Sequence, residues 1–188
     1  MISAFLQRTG TLLAFLVLVV GFSLASPEAF ASRANFLNLL QQITTLSIVA
    51  VAATLVMVIG EFDLAIGFVA SLAAVIAFVL LGDGWGIMVA IAAAVGSGVA
   101  AGLASGVLVA RFSVPSFVAT LAVGTIVSGL AYWVSGGSSL FSGIPPAFTL
   151  LARASLVGVP ALVLWMAAVL AAAHVGLTRT RYGRRLHA

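Results

Sequence analysis

Gly60-Glu61-Phe62-Asp63-Leu64-Ala65-Ile66-Gly67 places two carboxylates, two positions apart, between long apolar runs on both sides. Glu61 and Asp63 are two of the four acidic residues in the chain. Three roles fit such a pair: an ion or proton site inside a membrane, a catalytic pair, or the cap of a turn between two helices. The flanking composition decides the setting. Of 188 residues, 63% are hydrophobic and 6% charged, whereas soluble domains average roughly 45–50% apolar and about 25% charged. With a mean hydropathy of +1.31, the chain reads as an all-α integral membrane protein.

A helix that crosses about 30 Å of hydrocarbon needs about 20 mostly apolar residues. Working outward from the octapeptide, six such runs are present, at about 2–24, 36–59, 64–81, 85–110, 115–135 and 159–177, and they make a single transmembrane domain of residues 1–188. Short cytoplasmic loops collect arginine and lysine. With the N-terminus inside, Arg8, the Glu61–Asp63 turn, Arg111, Arg179, Arg181, Arg184 and Arg185 share the cytoplasmic side, and only Arg33 and Arg153 fall outside. Both termini are then cytoplasmic, and moving one span would break the pattern. A second reading of the N-terminus takes Arg8, the apolar run Thr11–Val20 and Ala29-Phe30-Ala31 as a secretory signal with its cleavage site. Cleavage there would remove the first span.

The chain has no cysteine, which leaves no disulfide framework, thiolate metal site or cysteine nucleophile. Its net charge of +4 and pI near 11.2 come from arginines scattered singly until the last ten residues, not from a basic groove tracking a phosphate backbone. No nucleic-acid partner is expected; the basic excess reports orientation and contact with anionic lipid. His174 and His187 lack a carboxylate or second histidine at ligand spacing, so no metal, cofactor or catalytic residue is expected of them. A glycine-rich phosphate loop followed by lysine is missing, and the chain contains no lysine at all, which excludes an ATP-hydrolysing subunit. A membrane enzyme would need an ionisable pair facing a water-filled cavity, and Glu61 with Asp63 is the only candidate.

The fourth run carries Gly98, Gly102 and Gly106 at four-residue spacing, with Ala90 and Ala94 extending the face. Lipid gives helices no hydrophobic drive to associate, so close helix packing through these small residues is expected, with a pore-lining face as the alternative. The fifth run opens with Val114-Pro115-Ser116-Phe117. Proline in a first turn forfeits no helical hydrogen bond, and Ser113 is placed to cap that helix. Tyr132 and Trp133 suit the aromatic belt at the outer interface, with hydrogen bonding to or stacking on a solute as the alternative. The segment 136–158, with Pro145-Pro146, is too polar and broken to span, and a re-entrant helix fits there.

Four stretches occur in order: SPEAFASRANFLNLLQQ (26–42), GEFDLAIGFVASLAA (60–74), FSVPSFVATLAVGTIVSGLAYWVSGGSSL (112–140) and TRTRYGRRLHA (178–188). Together they resemble the permease subunit of bacterial ABC importers for monosaccharides, the ribose-type branch, over about residues 26–188. The family pattern is similar to G-G-x-D-L-S-V-G, V-P-x-F-[IV]-A-T-L and T-x-[FY]-G-R. Asp63, Leu64 and Gly67 match the first of these, while Glu61 stands in place of a glycine and Ala65 of a serine.

The resemblance implies a multi-pass protein of the bacterial inner membrane, working with two ABC ATPase subunits, a periplasmic sugar-binding protein and a second permease copy. Permeases of this kind run to about ten spans of roughly 20 residues each, and a cytoplasmic coupling helix that docks on the ATPase follows T-x-[FY]-G-R. The chain is therefore expected to be the N-terminal part of a truncated or split permease. A neutral sugar needs no buried charge, and Phe117 and Thr120 are candidate pathway or sugar contacts. A permease for branched-chain amino acids, from the same superfamily, is the runner-up; a non-functional truncated fragment is a third reading. In this frame the 60–67 turn lies at the cytoplasmic end of the second and third spans, where water or headgroups solvate its carboxylates. Asp63 is expected to cap the third helix, with Gly60 and Gly67 shaping the turn, and Glu61 is left without a role.

Overall fold

The computed structural model describes residues 2–139, 143–156, 158–180 and 183. The elements run α1 (Ile2–Ala25), α2 (Arg33–Met57), α3 (Ile66–Gly82), α4 (Ile87–Phe112), α5 (Ser116–Ser135), α6 (Pro146–Arg153), β1 (Ser155–Leu156), β2 (Val159–Pro160) and α7 (Ala161–Arg179). Arg181, Arg184, Arg185 and His187 of the terminal segment lie outside the described residues. Among the described residues, four helices are long and apolar enough to cross a membrane: α2, α4, α5 and α7. The stretch Thr9–Ala25 and α3 are shorter apolar helices. At 1.5 Å per residue the 17 residues of α3 reach about 26 Å, short of the roughly 30 Å hydrocarbon thickness.

Helix ends follow local chemistry. Ser113 has a left-handed φ of 55°, and its amide donates to the Val109 carbonyl while the Val114 amide donates to Leu108. That is the paired-bond closure of a helix C-terminus. The sequence places Ser113 as the cap opening α5; instead it ends α4, because its backbone occupies the left-handed region rather than the extended one that an N-cap requires. Pro115 takes the N-cap of α5 without a side-chain bond, and Gly136, at φ 61°, ends that helix.

The chain divides into two compact units, Met1–Ile43 and Thr44–Ala188. In the first, the α1–α2 connection is held by its own side chains. The Ser32 hydroxyl accepts the Asn35 amide at 3.1 Å and donates to the Ala29 carbonyl at 2.9 Å. The Asn35 side-chain amide donates to Phe30 at 2.8 Å, and the Phe22 and Phe30 rings lie 5.5 Å apart. Serine is thus the N-cap of α2, satisfying a first-turn amide that the helix cannot.

In the second unit α3, α4 and α5 pack on one another. Their buried centre comprises Leu72, Ala101, Val123, Val127 and Ala131, while Leu103, Ile126 and Trp133 on the same helices stay more than 60% exposed. Small residues inside and large apolar residues outside is the arrangement of helices that associate by close packing in lipid. After α5 the chain forms α6, which opens on Pro146, and then the β1–β2 hairpin, pairing Ser155 with Pro160 and Leu156 with Val159. Phe148 of α6 meets Phe78 of α3 edge-on at 6.2 Å, and the Trp165 indole of α7 donates to the Leu151 carbonyl at 3.1 Å. The non-spanning segment is accordingly a short helix and hairpin laid against α3 and α7.

Candidate functional site

The site is built on the irregular stretch 58–65, because irregular backbone among apolar helices must find partners for its amides. Gly60, at φ 79°, turns the chain in a left-handed conformation that costs a residue bearing Cβ about 1–2 kcal/mol. Its amide donates to Met57, and the Glu61 amide donates to Val56. Beyond this point the partners are side chains of α5. The Phe62 amide donates to the Ser116 hydroxyl at 3.2 Å, and the Leu64 amide donates to the Thr120 hydroxyl at 3.1 Å. Thr120 in turn donates to the Ser116 carbonyl at 2.8 Å. The Ala65 amide then donates to Asp63 Oδ1 at 2.7 Å. The octapeptide and Ser116-Phe117-Val118-Ala119-Thr120, 54 to 56 residues apart in their bonded pairs, therefore form one structural feature.

Asp63 closes a turn; it does not cap the helix. The N-cap of α3 is Ala65, with no side-chain cap bond, and the Asp63 carboxylate reaches the amide only two residues on. Asp63 lies too far upstream of α3 to meet the second or third helical amide, where a cap bonds. Gly67 sits in the first turn of α3 with nothing within 4 Å of where a Cβ would stand, and Glu61 is partly buried with its amide paired to α2.

The crossing of α3 and α5 is fixed one turn further along. A Cβ on Gly124 would lie 2.7 Å from Phe68 Cδ2 and 3.3 Å from Ala65 Cα. Only glycine allows that approach, and nothing in the sequence marks Gly124, because a lone glycine in an apolar helix has no pattern. Thr120 is 4% exposed, and its hydroxyl is bonded to the loop and to its own helix. Phe117, in the same turn, is 55% exposed.

The small-residue stripe of α4 is displaced from the expected one. Ala90, Ala101 and Ser105 are the buried positions, and a Cβ on Gly98 would touch Val69 at 3.6 Å, whereas Gly102 and Gly106 have nothing within 4 Å of a Cβ. A step of four residues advances about 40° past a full turn, so a strict four-residue stripe drifts off the contact. Gly98 packs on α3, while Gly102 and Gly106 border open space.

Between α2, α3 and α4 lies a cavity of about 300 Å³. Its walls are mostly alanine, glycine and aliphatic side chains, and its polar contributors are Asp63 and Ser105. Ser105 precedes the end of α4 at Phe112 by seven residues, about 10 Å of helix. Thr120 lies four residues into α5, about 6 Å. The stretch from Phe62 to Leu64 thus lies alongside the first turn of α5, between Ser116 and Thr120.

Apolar helices of spanning length, with an irregular connection whose amides are held by a neighbouring helix, define a multi-pass membrane protein. Residues 35–188 match the family described as branched-chain amino acid transport system / permease component, and the chain belongs to that family. It is a multi-pass membrane protein. It is 34% identical over 188 residues to the ribose import permease protein RbsC of Escherichia coli (strain K12), covering 98% of this chain and 58% of that protein. The L-arabinose ABC transporter permease protein AraH of Azospirillum brasilense is 34% identical over 135 residues, 72% of this chain and 40% of its own length. The autoinducer 2 import system permease protein LsrC of Escherichia coli (strain K12 / DH10B) is 30% identical over 187 residues, 98% of this chain and 54% of its own. The chain thus spans a little over half the length of RbsC and LsrC. No solved structure matches it.

Proposed function

We propose that the chain is the membrane-embedded part of an ATP-driven importer for a monosaccharide, forming part of the translocation pathway. The observation behind this is the end-to-end similarity to a ribose import permease, 98% of the chain at 34% identity. Supporting it, two of the family-like stretches meet where the Leu64 amide bonds Thr120 beside the Asp63 turn. In this reading the protein sits in the bacterial inner membrane with six spans and both termini cytoplasmic, as the N-terminal part of a longer permease. Two ATPase subunits energise it, a periplasmic sugar-binding protein delivers solute, and a second permease copy completes the pathway. The family description favours a second reading, a branched-chain amino acid permease; the sugar importers among the relatives weigh against it. Uptake decides between them. Cells lacking endogenous ribose and leucine importers, given the whole gene with its cognate ATPase and binding protein, are expected to accumulate labelled pentose and not labelled leucine. Leucine uptake, or none of either with normal membrane insertion, overturns the sugar reading.

A further inference from the structure

We propose that the cavity between α2, α3 and α4 is a solute-contact site, in which Asp63 and Ser105 hold a neutral, hydroxyl-bearing group. This rests on the importer reading and assigns to it a place and two residues. Ser105 is 8% exposed, lines the cavity and has no hydrogen bond to its side chain among the described residues. Its neighbours in type behave differently: the hydroxyls of Thr54, Ser97, Thr120 and Thr125 all donate back to a carbonyl three or four residues earlier in their own helix. Among the described residues no fully buried side-chain oxygen is left without a partner, so the unpaired Ser105 hydroxyl opens into the cavity. A hydroxyl that opens into a cavity with no bond inside the protein is available to donate to and accept from a bound polar group.

Asp63 supplies the complementary half. One carboxylate oxygen is used by the Ala65 amide, and the other is left to accept from a ligand at the same wall. The first turn of α3 beside it has no side-chain cap, which leaves amide donors at the site. An acceptor, a hydroxyl and free amides suit vicinal hydroxyls. They do not suit a hard cation, which takes about six to eight oxygens, when no three Asp, Glu or His residues cluster among the described residues. An anion would meet the Asp63 charge, and an apolar solute would leave Ser105 unpaired. The volume of about 300 Å³ lies at the small end of the roughly 300–1,000 Å³ range of small-molecule pockets.

The chain has no cysteine, so Ser105→Cys puts a thiol of known position at the site, with Gly106→Cys as the control outside it. In the full-length permease assembled with its ATPase and binding protein, modification by a small thiol reagent is followed on the peptide containing residue 105. With ribose and binding protein both saturating, labelling at 105 is expected to slow severalfold relative to the sugar-free assembly while labelling at 106 is unaffected. Ser105→Ala, a favourable helix residue, is expected to lower the uptake rate at saturating ribose about 3- to 10-fold with normal insertion. Asp63→Asn, which retains the acceptor of the turn, is expected to lower uptake with insertion unchanged. If ribose uptake proceeds normally in the assembled transporter while 105 is unprotected and Ser105→Ala is silent, the site is overturned and the importer reading stands. Absence of sugar uptake by the unmodified assembly overturns the importer reading itself.

Discussion

Replacing Thr120 by Val isolates the bond that holds the 60–65 turn against α5. The two side chains have the same shape, so no cavity forms at this position, which is 4% exposed. What disappears is the acceptor of the Leu64 amide, 3.1 Å away, and the donation to the Ser116 carbonyl. The second loss is minor, since that carbonyl keeps its helical amide partner. Pairwise hydrogen bonds within membrane proteins average only about 0.6 kcal/mol, but a backbone amide stranded among apolar helices costs about 1–3 kcal/mol. The stranded amide dominates, and Thr120→Val is expected to lower stability by about 1–3 kcal/mol. Thr120→Ser keeps the hydroxyl and removes one buried methyl, a loss of about 0.8 kcal/mol. Reversible unfolding from mild detergent into dodecyl sulfate, followed by tryptophan fluorescence, should rank the proteins wild type, Thr120→Ser, Thr120→Val. Equal stability of Thr120→Val and wild type, or a greater loss for Thr120→Ser, would refute the role given to this hydroxyl.

Other substitutions test neighbouring contacts by the same unfolding assay. Gly124→Ala drives a methyl to within 2.7 Å of Phe68 and 3.3 Å of the Ala65 backbone and should cost about 1–3 kcal/mol; a neutral effect would show that α3 and α5 are not in that contact. Gly60→Ala, at φ 79°, should cost about 1–2 kcal/mol, whereas Gly102→Ala, with open space around it, should be neutral or slightly stabilising. Trp165→Phe removes the indole donor to Leu151 and should cost about 0.5–1.5 kcal/mol, seen also as faster proteolysis within 143–160.

The helices are legible in the sequence because their signal is local. Apolar runs near spanning length stop at glycine, proline or charge, and α1, α2, α4, α5 and α7 occupy such runs. The site is less so. Asp63 is visible as the acid opening a turn, but its bond partner depends on where α3 begins, which packing against α5 sets. Gly98, Gly102 and Gly106 form a stripe on paper, yet only Gly98 meets another helix, because an α-helix repeats every 3.6 residues and not every four. The motif around Thr120 offers it as a solute contact; its bond to the loop 56 residues earlier has no signal in the sequence. Ser105 gives no signal at all, since a serine in an apolar helix ordinarily bonds to its own backbone.

By itself, the sequence determined the membrane setting, the all-α class and the family resemblance, all of which rest on composition, run length and short motifs. The tertiary structure alone decided which polar groups among those helices are spent and which are left over. Thr120, Ser116 and one oxygen of Asp63 are consumed by the turn, while Ser105 lines a cavity without a bond to its hydroxyl. The physical reason is that a backbone amide in an apolar surrounding takes the nearest acceptor, and nearness between residues more than fifty positions apart exists only after the helices have packed.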